Sequence, residues 1–369
     1  MAQTKKTKRM ANRVKPVARG KSNTSVKPVA KGKRGIKTIN LALQGGGTHG
    51  AFTWGVIDRL LEDPRIAIDG IVGTSAGAFN GAVAAYGLAV GGPDGAREAL
   101  HKFWKRVAEG SALTGLTPTW TESMMTQGNM DLSPTYLWYE MLTRSMSPYQ
   151  LNPLNLNPLR ELLEESVDFE VLRKSHVRLF SCASNVLTGR IRVFECHEAS
   201  VDTVLASACL PTLFQSVEID GQHYWDGGYM GNPPLFPLIY SCDSHDVLLV
   251  MINPISINEV PKTAQAIIDR VNTLSFNSNL VREMRAIHFV TRLIDDGYDH
   301  GGRMKRMLIH TIDAEDDLRN LGVSSKYNAS WDFLQRLFEL GRAHTDTFLD
   351  QHFDKLGRES STDIVHRFL

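Results

Sequence analysis

Ile71-Val72-Gly73-Thr74-Ser75-Ala76-Gly77, running into the small-residue stretch Ala78 to Val90, decides how this chain is read. A short apolar strand enters a turn whose serine has a glycine two places away on either side. A serine at the tip of a sharp strand-to-helix turn holds strained backbone angles, and bulky neighbours would collide with it. The turn lifts the Ser75 hydroxyl clear of the sheet. It also aims backbone N–H groups at an oxygen under attack. The plain alternative is a tight turn in which Ser75 only caps the helix.

Just upstream, Ile39 to Leu43 is apolar enough for a buried strand and runs into Gln44-Gly45-Gly46-Gly47-Thr48-His49-Gly50. Ala51, Trp54, Ile57, Leu60 and Leu61 then share one face of a predicted helix, which Asp63-Pro64 ends. A glycine-rich loop therefore joins a strand to a helix N-terminus, where free N–H groups and the helix dipole favour negative charge. Gly45, Gly47 and Gly50 also spell the fingerprint of a dinucleotide-binding unit, and Asp69 stands about 20 residues on, where such a unit places its acid. The serine turn weighs against that reading, because a nicotinamide-binding unit has no use for one.

Further along, Asp226-Gly227-Gly228 follows the strand-like Ser216 to Tyr224 and precedes Asn232-Pro233-Pro234. Gly227 and Gly228 let the chain turn directly after the carboxylate. Alone, such an Asp reads equally well as a turn former. A serine hydroxyl, however, needs something to take its proton. None of the twelve histidines stands in a comparable downstream motif. His223 is nearest, but its odd offset from Asp226 puts it on the other face of a strand. Asp226 therefore ranks above it, as a base whose pKa partial burial would raise toward the working pH.

Taken in order, Gly45-Gly46-Gly47-Thr48-His49-Gly50, Gly73-Thr74-Ser75-Ala76-Gly77 and Asp226-Gly227-Gly228 make the chain resemble a bacterial patatin-like phospholipase over about residues 36 to 310. Ala206-Ser207-Ala208-Cys209-Leu210-Pro211 resembles that family's small-residue segment ending in proline. The resemblance implies a three-layer α/β/α sandwich with a mostly parallel sheet. It implies a serine–aspartate dyad, with Ser75 as nucleophile and Asp226 as base. The amides of Gly45, Gly46 and Gly47, with Ala76, would form the oxyanion hole. The reaction implied is hydrolysis of an acyl lipid ester through an acyl-enzyme. Separately, the chain has neither Cys-x-x-Cys spacing nor a histidine–glutamate helix motif, so no metal or cofactor is expected. The fifth position of the glycine loop departs from the family, which carries Lys or Arg where this chain has His49. With an unperturbed pKa of about 6.5, His49 either assists the anion in a pH-dependent way or orients the loop by hydrogen bonding.

The 369 residues, 42% of them hydrophobic, suffice for a sizeable core. Thirteen of the 41 Lys and Arg fall in residues 1–37, which hold no Asp or Glu; the remaining 28 face 40 acidic residues, a net of −12. A basic tail, expected to be disordered, thus precedes an acidic hydrolase domain over 38–369. In the tail, Val14-Lys15-Pro16-Val17-Ala18-Arg19-Gly20-Lys21 recurs as Val26-Lys27-Pro28-Val29-Ala30-Lys31-Gly32-Lys33. Such a segment attracts polyanions: an anionic membrane surface, nucleic acid, a polyester granule or an acidic protein. It equally suits a solvated tail resting on its own acidic body, or a polyanion-binding protein whose body is catalytically silent. No apolar core follows the charges as in a signal peptide, and no stretch has the apolar length of a membrane span. The expected location is the cytoplasm, with peripheral membrane contact. Cys182, Cys196, Cys209 and Cys242 lack metal-binding spacing, and Cys182 and Cys209 read as core thiols.

Residues 111–158 carry Leu116, Trp120, Met124, Met125, Trp138 and Met141 among five prolines, with no clear period. They read either as an acyl-binding insertion or lid, or as an ordinary packed insertion. Pro158 to Lys174 reads as one helix, and Val177 to Ala183 with Ile191 to Phe194 as a hairpin about Leu187-Thr188-Gly189. Val247 to Ile252 reads as a central parallel strand, Met307 to Ile312 as an edge strand, and Val260 to Leu293 and Trp331 to Leu349 as helices.

Overall fold

Strands β1 (Lys37–Leu43) and β2 (Ile66–Gly73) lie side by side and parallel, and both stop at the same level, with Leu43 opposite Gly73. This pairing places the site. Whatever follows β1 and whatever follows β2 must leave the sheet together, at its carboxyl edge. The structure is a computed structural model that describes residues 35–114, 128–131, 133–319 and 321–369. The basic tail and part of the 111–158 insertion lie outside those residues, and with them the expectations of disorder and of a lid.

Helix α1 (Gly50–Glu62) connects β1 to β2, and α2 (Ala76–Thr114) follows β2. The latter breaks at Gly91–Gly92, whose dihedrals are not helical, and restarts at Pro93, a residue suited to a first helical turn. After α3 (Pro134–Ser145) and α4 (Pro158–Ser166) come β3 (Arg178–Asn185), β4 (Ile191–Glu195) and α5 (Val201–Ser207). β5 (Val217–Ile219), β6 (Gln222–Asp226), β7 (Asp246–Met251), α6 (Ala264–Asp295), β8 (Leu308–Asp313) and α7 (Trp331–His352) complete the main elements. The sheet order is β5-β6-β3-β2-β1-β7-β8, with β4 beside β3. β3, β2, β1, β7 and β8 run parallel; β4, β5 and β6 are antiparallel additions at one end.

Alternation along the central strands sorts the core into two layers. Ile39, Leu41, Leu43, Leu248 and Val250 pack on α1, α2 and α7. Ala42, Val72, Val247, Leu249 and Met251 face the other way, onto Leu280, Met284 and Ile287 of α6 and the short helix Phe236–Ser241. Period-two side chains on a sheet buried on both faces require helices on both sides, which gives the expected three-layer α/β/α sandwich. Asp58 on α1 accepts from Arg97 on α2 and Arg342 on α7, so one buried carboxylate ties three helices.

Two elements differ from the expectations. Pro158 to Lys174 is two helices, because the Asp168 carboxylate caps a new start by accepting from the N–H groups of Glu170 and Val171. Ser216 to Tyr224 is not one strand but the hairpin β5–β6. It turns at Asp220 and Gly221, both at positive φ, which is the Asp-Gly signature of a tight hairpin.

Candidate active site

Ser75 sits directly beyond β2 with φ 53, the left-handed region that non-glycine residues rarely enter. Its N–H donates to Ser207 Oγ at 3.0 Å, at the end of α5. The elbow is tight enough to exclude side chains behind it. A Cβ on Gly77 would lie 2.2 Å from the Leu43 carbonyl oxygen, and one on Gly73 would lie 2.3 Å from that of Gly77. Thr74 is fully buried, whereas Ser75 and Ala76 remain partly exposed.

Gly45 faces the elbow from β1: a Cβ there would come within 2.6 Å of the Ser75 Cβ. The glycine loop is therefore against the serine, as the paired strand ends dictate. Its amides are not equivalent, however. The Gly45 N–H donates to Asn232 Oδ1 at 2.6 Å. That corrects the expectation that Gly45 offers a donor to an anion, since a side chain already holds it. The N–H groups of Gly46, Gly47 and Ala76 take no acceptor among the described residues. They stand at the starts of a 3-10 turn and of α2, where intrahelical partners are lacking.

Asp226 ends β6 and is 1% exposed. One strand explains why it lies beside the elbow. β3 pairs Ser181 with Gly73 of β2, then Ala183 with Asp226 of β6, while β4 takes its opposite edge. Gly73 and Asp226 thus occupy the same edge of β3 two residues apart, about 7 Å. The Asp226 backbone is fixed from both sides: its N–H donates to Cys209 O at 2.8 Å, and its carbonyl accepts from Ser184 Oγ at 2.8 Å. Residues 206–211 therefore measure out both halves of the site, through Ser207 to Ser75 and through Cys209 to Asp226. In the sequence, only the family resemblance marks this segment.

The Asp226 carboxyl has its pKa raised from 3.8 to about 7, mainly because burial penalises the anion. The Gly228 N–H opposes the rise by donating to Oδ1 at 2.7 Å, and the Ser75 hydroxyl opposes it to a lesser degree. Oδ2 is buried without a formed hydrogen bond. The Ser75 hydroxyl thus neighbours this carboxylate closely enough to act on it, but the two are not joined by a bond of good geometry. Catalytic bonds commonly tighten only once substrate is present. Gly227 packs under Cys182, and Gly228 under the Phe276 ring.

His49 is 2% exposed and its pKa falls to about 3, first through burial and then through the nearby Lys326 charge. It is neutral at physiological pH, and its Nε2 lies 2.8 Å from Ser325 Oγ. Of the two expectations for His49, orientation of the loop is the one that the geometry fits. His223 pairs through Nδ1 with Ser216 Oγ at 3.2 Å, away from the elbow. Asp69, the acid of the dinucleotide alternative, accepts from Arg178 and from the N–H groups of Asp243 and Ser244. It stands four residues before the end of β2 and serves to join β3 to that turn. Cys182 and Cys209 are buried thiols. A groove of about 730 Å³ between Phe236–Ser241 and α6 lies apart from these residues.

A family model described as patatin-like phospholipase matches residues 41–239, more than half of the chain. No curated protein matches. Among solved structures, the chain is similar to VipD from Legionella pneumophila, at 16% identity and a TM-score of 0.44, over 86% of this chain and 67% of that one. It is also similar to the heterodimeric ExoU–SpcU complex from the type III secretion system of Pseudomonas aeruginosa, at 14% identity and a TM-score of 0.34, over 86% and 52%. The chain spans about half the length of the latter. The matched span holds the glycine loop, the elbow serine and the buried aspartate in order on a three-layer α/β/α sheet, and this chain belongs to the patatin-like phospholipase family.

Proposed function

We propose that this chain is a serine-dependent lipid acyl hydrolase, with Ser75 as nucleophile and Asp226 as general base. The observation that carries the reading is the buried Asp226 carboxylate, with an unbonded Oδ2, next to a partly exposed elbow serine. Ser75 Oγ attacks the acyl carbonyl carbon while its proton passes to Asp226. The carbonyl oxygen becomes an anion facing the free amides of Gly46, Gly47 and Ala76. The bond to the lipid alcohol then breaks, and Asp226 returns the proton to the leaving oxygen. Water attacks the acyl-enzyme in the same manner, releasing the fatty acid and restoring Ser75. Fixed amide dipoles need no reorganisation as charge develops, which is why such donors carry much of the rate enhancement.

The first test is covalent. A fluorophosphonate probe is expected to label the folded wild-type chain once, on the peptide containing Ser75, and to leave Ser75→Ala unlabelled. Labelling elsewhere, or none, overturns the assignment. A dinucleotide-binding protein would give none.

The basic residues 1–37 extend this reading toward an anionic membrane surface reached from the cytoplasm. Each basic side chain near such a surface contributes about 1 kcal/mol, an attraction that salt screens. Sedimentation with phosphatidylserine vesicles is expected to carry down the full chain at low salt, less at high salt, and the chain lacking residues 1–37 hardly at all. Equal binding by the truncated chain removes the tail from this role.

A further inference from the structure

The 3-10 turn Val323–Tyr327, outside the span matched by the family model, is clasped onto the glycine loop. Thr48 Oγ1 donates to the Ser325 carbonyl at 3.0 Å, and His49 Nε2 meets Ser325 Oγ at 2.8 Å. Gly47, at φ 58, passes so close beneath this turn that a Cβ on it would lie 2.5 Å from the Lys326 carbonyl oxygen. These contacts set the Lys326 side chain behind the loop. Its Nζ donates to Asn253 Oδ1 at 2.7 Å, and Asn253 Nδ2 in turn donates to the Gly45 carbonyl at 2.6 Å. With Asn232 Oδ1 accepting from the Gly45 N–H, both peptide groups of Gly45 are gripped. Gly45 is the residue whose Cα packs on Ser75.

Lys326 is an unusual occupant of this place. The residue is half-buried, but its ammonium is enclosed enough that burial draws its pKa down to about 8. Among the described residues no carboxylate lies within ion-pair distance of it. The charges that reach it are those of its neighbours. Asp269 on α6 opposes the fall of its pKa, and Asp269 is itself raised to about 6 by burial and by Glu140 on α3. His49 on the loop is neutral and lends nothing. A desolvated ammonium without a paired anion, one side chain removed from a peptide that abuts the nucleophile, is costly to fold, and a negative charge developing nearby interacts favourably with it.

We propose that Lys326 is the positioning cation of the oxyanion loop: through Asn253 it holds the Gly45 peptide so that the Gly46 and Gly47 amides face the acyl oxygen, and its charge favours the anion that forms there. The proposal rests on the hydrolase reading above. It gives the enzyme a second titration. Asp226 must lose its proton to act as base, so activity rises through about pH 7; Lys326 must keep its proton, so activity falls through about pH 8. Asp269 is already ionised over that fall.

The test is the pH profile of Ser75-dependent hydrolysis of a short-chain nitrophenyl ester by the full chain, from roughly pH 6 to 10. Wild type is expected to show both limbs. Lys326→Met is expected to lower kcat by about 10- to 100-fold with KM little changed, and to lose the alkaline fall. Lys326→Arg is expected to recover most of kcat and also to lose that fall, because a guanidinium stays charged. If thermal melting shows Lys326→Met unfolded, the arginine variant decides alone. Wild-type kcat with an unchanged alkaline limb in Lys326→Met, or an unmoved limb in Lys326→Arg, overturns the proposal and leaves the dyad standing. Wild-type turnover that survives Ser75→Ala overturns both.

Discussion

Asp226→Asn is expected to lower kcat for ester hydrolysis by about 10³-fold or more while the protein stays folded, since a positioned general base contributes about 10² to 10⁴ and, among the described residues, Asp226 is the titratable group that neighbours the Ser75 hydroxyl. The amide copies the shape of the carboxylate. Its oxygen can still accept from the Gly228 N–H, now made at 2.7 Å, but it cannot take a proton. The same change has an opposite effect on stability. The carboxyl of Asp226 has a folded-state pKa raised above its unfolded value, so the native state binds the proton more tightly. The penalty for burying the anion is absent below about pH 4, grows as pH rises, and is complete above about pH 7. Thermal melting is therefore expected to show Asp226→Asn close to wild type at pH 4 and more stable at pH 8, by a few kcal/mol at most. An inactive variant that melts higher only at alkaline pH marks a group kept for function at a cost in stability. A variant that turns over freely, or a melting difference independent of pH, contradicts the role.

Gly77→Ala is expected to lose at least about 10²-fold in kcat, the effect of displacing reacting groups by about 1 Å, and to be destabilised by about 1–3 kcal/mol, as overpacking typically costs. The new methyl would stand 2.2 Å from the Leu43 carbonyl oxygen and 2.9 Å from that of Gln44. Both are backbone atoms at the end of a central strand, so no rotamer change relieves the clash. Either the elbow lifts away from β1 or the glycine loop moves, and each separates Ser75 from the proposed oxyanion amides of Gly46 and Gly47. Gly110→Ala is the control. It lies in α2 with open space where the methyl would go, and helix propensity predicts a gain of up to about 1 kcal/mol with activity intact. Kinetics and melting on both variants separate a steric effect at the elbow from a general intolerance of substitution.

Much of the site is legible in the amino-acid sequence because its parts obey local rules. Ser75 at φ 53 needs glycines two places away, and the strand–loop–helix pattern around Gly45–Gly50 announces free amides wherever it occurs. The β5–β6 hairpin is equally legible in Asp220-Gly221, although the uniformly strand-like run from Ser216 to Tyr224 masks it. Asp168 as a fresh helix cap is readable on the same grounds. Lys326, Asn253 and Asn232 carry no such signal. Each is an ordinary polar residue in its own neighbourhood, and each acts on a loop at least 187 positions away.

The chain's own order of residues settles the local shapes, since an elbow, a glycine loop and a capped turn are conformations of a few consecutive residues and depend on their sterics alone. Whether those groups meet, and in which ionisation state, belongs to the folded sheet. β3 offers one edge to both Gly73 and Asp226, Ser207 and Cys209 anchor the two from a shared segment, and burial by distant residues lifts Asp226 while lowering His49 and Lys326. Strand pairing and desolvation are sums over neighbours far apart along the chain, and no local stretch contains them.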